Sequence, residues 1–333
     1  MHAIEKILAN NAGLERVTAG EIVNCHIDFV EINDLYLQTI YSFWEMGGDR
    51  VYDKDKVAFI FDHYSPAPTI KTAQIHKEMR EFAKDQGLTH HFDINKGVCH
   101  QVMPEAGLIY PGMIIVATDS HTTTHGAFGS FGTGVGATDM ATILISGQLW
   151  FRVPSIIKIE ITGTPSDNVY AKDVILHILG KVKADGAVYK AIEFCGEYVE
   201  KLGVSERMVI CNMAVEMGAK TAYMIPNQEV IDYVESRTNK EYTIFKTDDD
   251  YEYEEHLVFN IDNLKPQLAA PHSVDNNITV EEAIGIKINQ AFIGSCTGGR
   301  FEDIEAAWKV LNGKKIHLDV RLVITNTRGR QAA

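Results

Sequence analysis

GMIIVATDSHTTTHG, residues 112–126, joins a short apolar run to an Asp-Ser-His turn. A run of Ile and Val bounded by turn residues reads as a strand buried on both faces, the kind found in parallel sheets. The polar triplet then falls at the carboxyl end of that strand, where open α/β sheets bind ligands. The pattern recurs. KVAFIF, residues 56–61, runs into Asp62-His63, and QAFIG, residues 290–294, runs into Ser295-Cys296. VRLVIT, residues 320–325, reads as a further buried strand. Helical patterns separate these runs. In KTAQIHKEMREFAKDQG, residues 71–87, Ile75, Met79, Phe82 and Ala83 share one face and Gly87 can close the helix. Strands alternating with helices are the α/β signature.

The middle of the chain reads differently. SIIKIEITG, residues 155–163, alternates with period two, which predicts an antiparallel strand. TPSDNVYAKDVILHILGKV, residues 164–182, carries an N-terminal helix signal and an amphipathic body. The acidic KTDDDYEYEEH, residues 246–256, reads as a solvated surface segment. With 333 residues, the chain is expected to form α/β units over residues 1–162 and 163–283 and the start of a third over 284–333.

The formal charge of -14 argues against non-specific nucleic-acid binding, which needs a basic footprint. It leaves room for an anionic small substrate held by local Arg or Lys. No run reaches the length of a membrane span, and the N-terminal MHAIEKILANNAGLERV is a short amphipathic helix with charges inside it. Five cysteines, Cys25, Cys99, Cys195, Cys211 and Cys296, never form a C-x-x-C, which suits a reducing cytoplasm.

Three strands therefore deliver Asp62-His63, Asp119-Ser120-His121 and Cys296 to what could be one crevice, and KGVCHQVMPE adds His100. Taken singly, an Asp-His dipeptide after a strand is commonly a turn and cap, and one histidine is commonly a satisfied core group. The joint pattern points to imidazoles held beside carboxylates for proton work. Two other motifs are set aside. GTGVGA, residues 132–137, fits G-x-G-x-x-A, but HTTTHGAFGSF intervenes where a strand is required. Its glycines are expected to let a neighbouring element pack under the Asp-Ser-His turn. His121-x-x-x-His125 has zinc-ligand spacing, but three threonines between the histidines disfavour an α-helix. Cys296 precedes a helical FEDIEAAWKVL, residues 301–311, so it suits either a nucleophile or a metal ligand.

FDH at 61–63, the block from Gly97 to Ala141, LWFRVPSIIKIEITG at 149–163, NMAVEMGAK at 212–220 and IGSCTGGRFEDI at 293–304 together carry a resemblance. The chain resembles the aconitase superfamily, and within it the large subunits of 3-isopropylmalate dehydratase and its homoaconitase and dimethylmalate dehydratase relatives. That resemblance implies three-layer α/β domains around a central crevice, with the third domain incomplete here. It implies a hydro-lyase of leucine biosynthesis with a [4Fe-4S] cluster, whose first cysteine ligand matches Cys296. Asp62, His63, His100, Asp119, His121 and Glu216 match the catalytic set, and Ser120 and Arg300 are expected to bind an anionic hydroxy-acid substrate. The proton-abstracting serine lies on a swivelling domain, in this branch a separate small subunit, so a partner is implied.

Two departures stand out. Gly298 replaces the asparagine common after Ser-Cys-Thr. The family's remaining two cluster cysteines form a C-x-x-C downstream, and no C-x-x-C follows Cys296 here. The expectation is a truncated chain that does not hold the cluster or turn over by itself.

Overall fold

The computed structural model describes residues 1–328. Its strands are β1 (Ile22–His26), β2 (Phe29–Asn33), β3 (Val57–Ile60), β4 (His90–Phe92), β5 (Ile114–Ala117), β6 (Phe131–Gly134), β7 (Gln148–Arg152) and β8 (Ile156–Thr162). There follow β9 (Ala191–Cys195), β10 (Thr221–Tyr223), β11 (Glu255–Asn260), β12 (Gln267–Ala269), β13 (Asn277–Thr279), β14 (Gln290–Ile293) and β15 (Arg321–Ile324). The helices are α1 (Ala3–Ala12), α2 (Leu37–Glu45), α3 (Ile70–Gln86), α4 (Cys99–Glu105), α5 (Ala137–Ser146) and α6 (Ala171–Val182), then α7 (Glu197–Glu200), α8 (Val204–Asn212), α9 (Gln228–Glu235) and α10 (Phe301–Leu311).

Every neighbour pair in the five-stranded sheet, in order β4-β3-β2-β5-β6, is parallel. The apolar runs that suggested buried strands form its centre, and all residues of β3 and β5 are buried. Alternation sends Val57, Phe59, Ile114 and Val116 to one face, against α1, α2, α3 and α5. Ala58, Ile60 and Ile115 face α4 and a second apolar cluster. Helix α3 ends as its sequence suggests, with Gly87 in the left-handed region and its N–H on the Ala83 carbonyl.

A four-stranded sheet follows, in order β10-β9-β8-β11. Here the expected antiparallel strand is corrected. β8 pairs parallel with both β9 and β11. Its alternation has another cause. Ile157, Ile159 and Ile161 are buried, while Lys158 lies over the Tyr253 ring and Glu160 meets His256, so the second face is only partly covered. The acidic segment is also more than a solvated run. Asp248–Asp250 are exposed, but Tyr251 and Tyr253 turn inward around buried His2, and the Tyr253 hydroxyl donates to Glu193 at 2.7 Å.

β14 and β15 pair parallel as a two-stranded sheet, and they are not the buried strands that were expected. Phe292 is 55% exposed and Ile324 48%. The one helix joining them, α10, has no buried residue. With so little packed against it, this sheet cannot cover both faces. The end of the third expected unit, residues 329–333, lies outside the described residues.

GTGVGA has no strand ahead of it, as expected: its first three residues lie inside β6, a 3-10 helix over residues 120–128 comes before that strand, and α5 begins at Ala137. The glycines serve the packing expected of them. A Cβ on Gly134 would stand 2.6 Å from the Asp119 carbonyl oxygen, and one on Gly132 would strike the Thr122 carbonyl.

Candidate active site

Residues 120–128 form a short 3-10 helix capped by Asp119, whose Oδ1 accepts from the His121 N–H at 2.7 Å. The tight turn presents His121 to the crevice and buries His125 completely, so the two histidines of the zinc-like spacing do not share an exposed face. α4 begins directly below, with the Cys99 N–H donating to Asp62 Oδ2 at 2.7 Å.

Asp119 is the hub. His100 Nε2 lies 3.0 Å from its Oδ1, and His63 Nε2 lies 3.3 Å from its Oδ2. Asp62 Oδ1 holds the other nitrogen of His63 at 2.7 Å. His121 Nε2 reaches Glu216 Oε1 at 3.1 Å. Six predicted residues from β3, α4, β5 and the turn before Gly218 thus join in one hydrogen-bonded chain. Burial divides them. His100 is 1% exposed and stands behind Asp119, while the His63, His121 and Glu216 side chains keep 34%, 28% and 36% of their surface. Ser120 is exposed beside them.

The electrostatics follow from this geometry. Burial disfavours the His63 cation, but hydrogen bonds to Asp119 and Asp62 outweigh it and push its pKa up to about 11. His121 is likewise opposed by burial and supported by Asp119 and Glu216, which bring it to about 10. Burial raises the Asp119 carboxyl, but its histidine partners outweigh that and hold it far below the usual carboxylate range. At neutral pH the site therefore presents two fixed imidazolium ions locked between carboxylates. An imidazolium of so high a pKa is a poor proton donor and a strong fixed charge.

Cys296 is half-buried on the turn after β14. Its thiol lies 3.8 Å from Asn212 Oδ1. Arg300 is not hydrogen-bonded into the histidine network. It is 3% exposed, its Nε donates to Gln101 Oε1 at 3.2 Å, and its Nη1 has no partner among the described residues. It borders a cavity of about 850 Å³ with Lys172, Thr297 and Tyr233. The histidines do not line that cavity, so its size alone does not mark the chemistry. The network is the better guide, because its charges are paired and aimed.

The sequence reading missed Asp34, Asn212 and Lys172. Asp34 stands just past β2 and accepts from the backbone N–H groups of His63 and Tyr64 at 3.0 and 2.8 Å, so it builds the turn that carries Asp62-His63. The signal was available, since FVEIND also ends a buried run in an acid. Asn212 and Lys172 lie on helices, and no local pattern singles them out.

The matching family model is the Aconitase family (aconitate hydratase), over residues 6–286. The chain belongs to the aconitase family. It is 47% identical over 330 residues to a probable methanogen homoaconitase large subunit of Methanothermobacter thermautotrophicus, covering 98% of this chain and 77% of that protein. It is 48% identical over 321 residues to 3-isopropylmalate dehydratase large subunit 1 of Methanopyrus kandleri, covering 96% and 77%. A 3-isopropylmalate dehydratase large subunit 1 of Pyrococcus furiosus is 44% identical over 328 residues, covering 97% and 77%. The aconitase family implies a [4Fe-4S] cluster. The described residues do not supply its full ligand set, which is built from cysteine thiolates. Cys296 is the one thiol on the crevice turn. Cys25, Cys99 and Cys211 are buried, and Cys195 donates to the Ile159 carbonyl within the four-stranded sheet. No helix of the described residues is long and apolar enough to cross a membrane.

Proposed function

We propose that this chain is the large subunit of a hydro-lyase that isomerises a 2-hydroxy di- or tricarboxylic acid by dehydration and rehydration, as 3-isopropylmalate dehydratase does in leucine biosynthesis. The observation that carries the reading is the Asp119 hub, which holds His63 and His121 as cations at the rim of the crevice. An anionic hydroxy acid needs its carboxylates met by fixed positive charge, and negative charge grows on it as the proton next to a carboxylate leaves. His63 and His121 supply that charge, and Ser120 offers a hydroxyl beside them. Asp62, Asp119 and Glu216 set the imidazole orientations. His100, enclosed behind Asp119, keeps that carboxylate in place. Arg300 and Lys172 extend the positive lining toward the larger cavity. Cys296 is the proposed first ligand of the cluster, and the chain alone is proposed not to complete it.

Relatives named large subunits support a small-subunit partner, which on the family resemblance brings the serine that abstracts the proton. A second reading, homoaconitase, has a specific support: the methanogen homoaconitase subunit is as similar as the dehydratases. The test is reconstitution with iron and sulfide under anaerobic conditions, together with a small subunit, followed by assay on 3-isopropylmalate and on homoaconitate. Turnover of one over the other assigns the substrate. A stable cluster spectrum with turnover by the complex sinks the claim that this chain does not complete the cluster. A complex that holds the cluster but turns over neither substrate sinks the hydro-lyase reading, and turnover by the large chain alone sinks the need for a partner.

A further inference from the structure

Glu31 sits in the middle of β2, the central strand of the five-stranded sheet, and takes no part in the network above. It is 0% exposed, and neither carboxylate oxygen has a hydrogen-bond partner among the described residues. Its neighbours across the sheet are Ala58 and Ala117, whose small side chains leave room for it. Its direction follows from alternation along the strand. Phe29 belongs to the apolar cluster on the α4 side, while Val30 and Ile32 belong to the opposite one, so Glu31 shares the α4 side. Asp62 and Asp119 lie on that side too, since they accept hydrogen bonds from Cys99 and His100 at the start of α4.

The groups facing Glu31 are therefore Asp34 beyond β2, Asp62 and His63 beyond β3, Asp119 beyond β5, and Cys99 and His100 on α4. Three of them are carboxylates. An ionised carboxylate with no hydrogen bond in this company is strongly disfavoured, and such a group takes a proton instead. Burial first, and then the charges of Asp62 and Asp119, push Glu31 in that direction.

We propose that Glu31 is a positioning residue: a carboxylic acid kept neutral beneath Asp62 and Asp119, which leaves those two as the charged partners of His63 and His100. A fourth negative charge at this depth would compete with Asp62 and Asp119 for the same imidazoles and loosen the hub. Its link to turnover rests on the hydro-lyase reading, but its protonation does not.

The first test needs no activity. Glu31 binds its proton more tightly folded than unfolded. Wild type should therefore match Glu31→Gln near the unfolded carboxyl pKa of about 4.3. As pH rises above that value it should lose up to about tenfold in folding equilibrium constant per pH unit relative to the variant. Parallel stability curves from about pH 5 to pH 8 would overturn the proposal. If Glu31→Gln does not fold, infrared spectra of wild type labelled with carboxyl-13C glutamate decide it. A protonated glutamic-acid carbonyl band should persist at about pH 7, and its absence overturns the assignment. In the reconstituted enzyme, Glu31→Gln should keep the pH profile of kcat, and a profile displaced by one pH unit or more would remove the positioning role. If wild type holds the cluster and still shows no turnover, the hydro-lyase reading fails while the stability comparison still stands.

Discussion

In the five-stranded sheet, Val57, Phe59 and Ile115 have no solvent exposure, whereas Phe292 in the two-stranded sheet is 55% exposed. Both sheets are parallel, and both end a strand in a reactive side chain. The first fixes its groups twice, by packing on both faces and by hydrogen bonds through Asp119. The second leaves Cys296 on a turn whose strands and helix are packed on little. The difference separates two ways of presenting chemistry. The matched charges are set in a closed core, and the thiol proposed as a ligand is set where the surroundings are open.

The largest effect that sharpens this contrast is at the hub. Asp119→Asn should lower turnover of the reconstituted enzyme by about 10² to 10⁴-fold, measured as kcat. A loss below tenfold would show that the two imidazolium ions do not depend on the closed network. In the core, Phe59→Ala should cost about 3–5 kcal/mol, whereas Phe292→Ala should cost no more than about 1 kcal/mol. Urea unfolding of both variants checks this, and equal losses would erase the distinction between the sheets. A smaller effect is alkaline. His63 and His121 bind protons more tightly folded than unfolded. Their stabilisation is whole below an unfolded pKa of about 6.5 and is lost as pH rises through about 10 for His121 and about 11 for His63. Unfolding midpoints should fall across that window, and the fall should be shallower in His63→Gln. The smallest effect is at the thiols. A thiol reagent should label Cys296 first. Burial pushes Cys25 and Cys211 up to about 12 and Cys195 to about 11, so these should lag. Mass spectrometry of the partly labelled protein gives the order.

The strand ends were legible in the sequence because an apolar run stopping at Asp-His or Asp-Ser-His is a local pattern. The same logic located α3 and its Gly87 cap, and it placed Cys296 before a helix. What stayed hidden was non-local. Strand direction around β8 depends on β9 and β11, which arrive later in the chain, and period two marks only unequal coverage of two faces. The runs of β14 and β15 look like those of β3 and β5, since burial is decided by neighbours and not by the run itself. Asn212 meets Cys296 across 84 residues of chain, and Glu31 is an acid amid apolar residues, which a pattern reader passes over as an interruption.

Gly134 has no functional atom, yet its missing Cβ is what allows β6 to lie against the Asp119 backbone. The shape of the acid–base turn is thus recorded partly in a neighbouring strand, as an empty position. A screen of single substitutions scored only for folded protein and for turnover would find such a glycine as intolerant as the histidines. The acid–base turn therefore depends on a space as strictly as it depends on a charge.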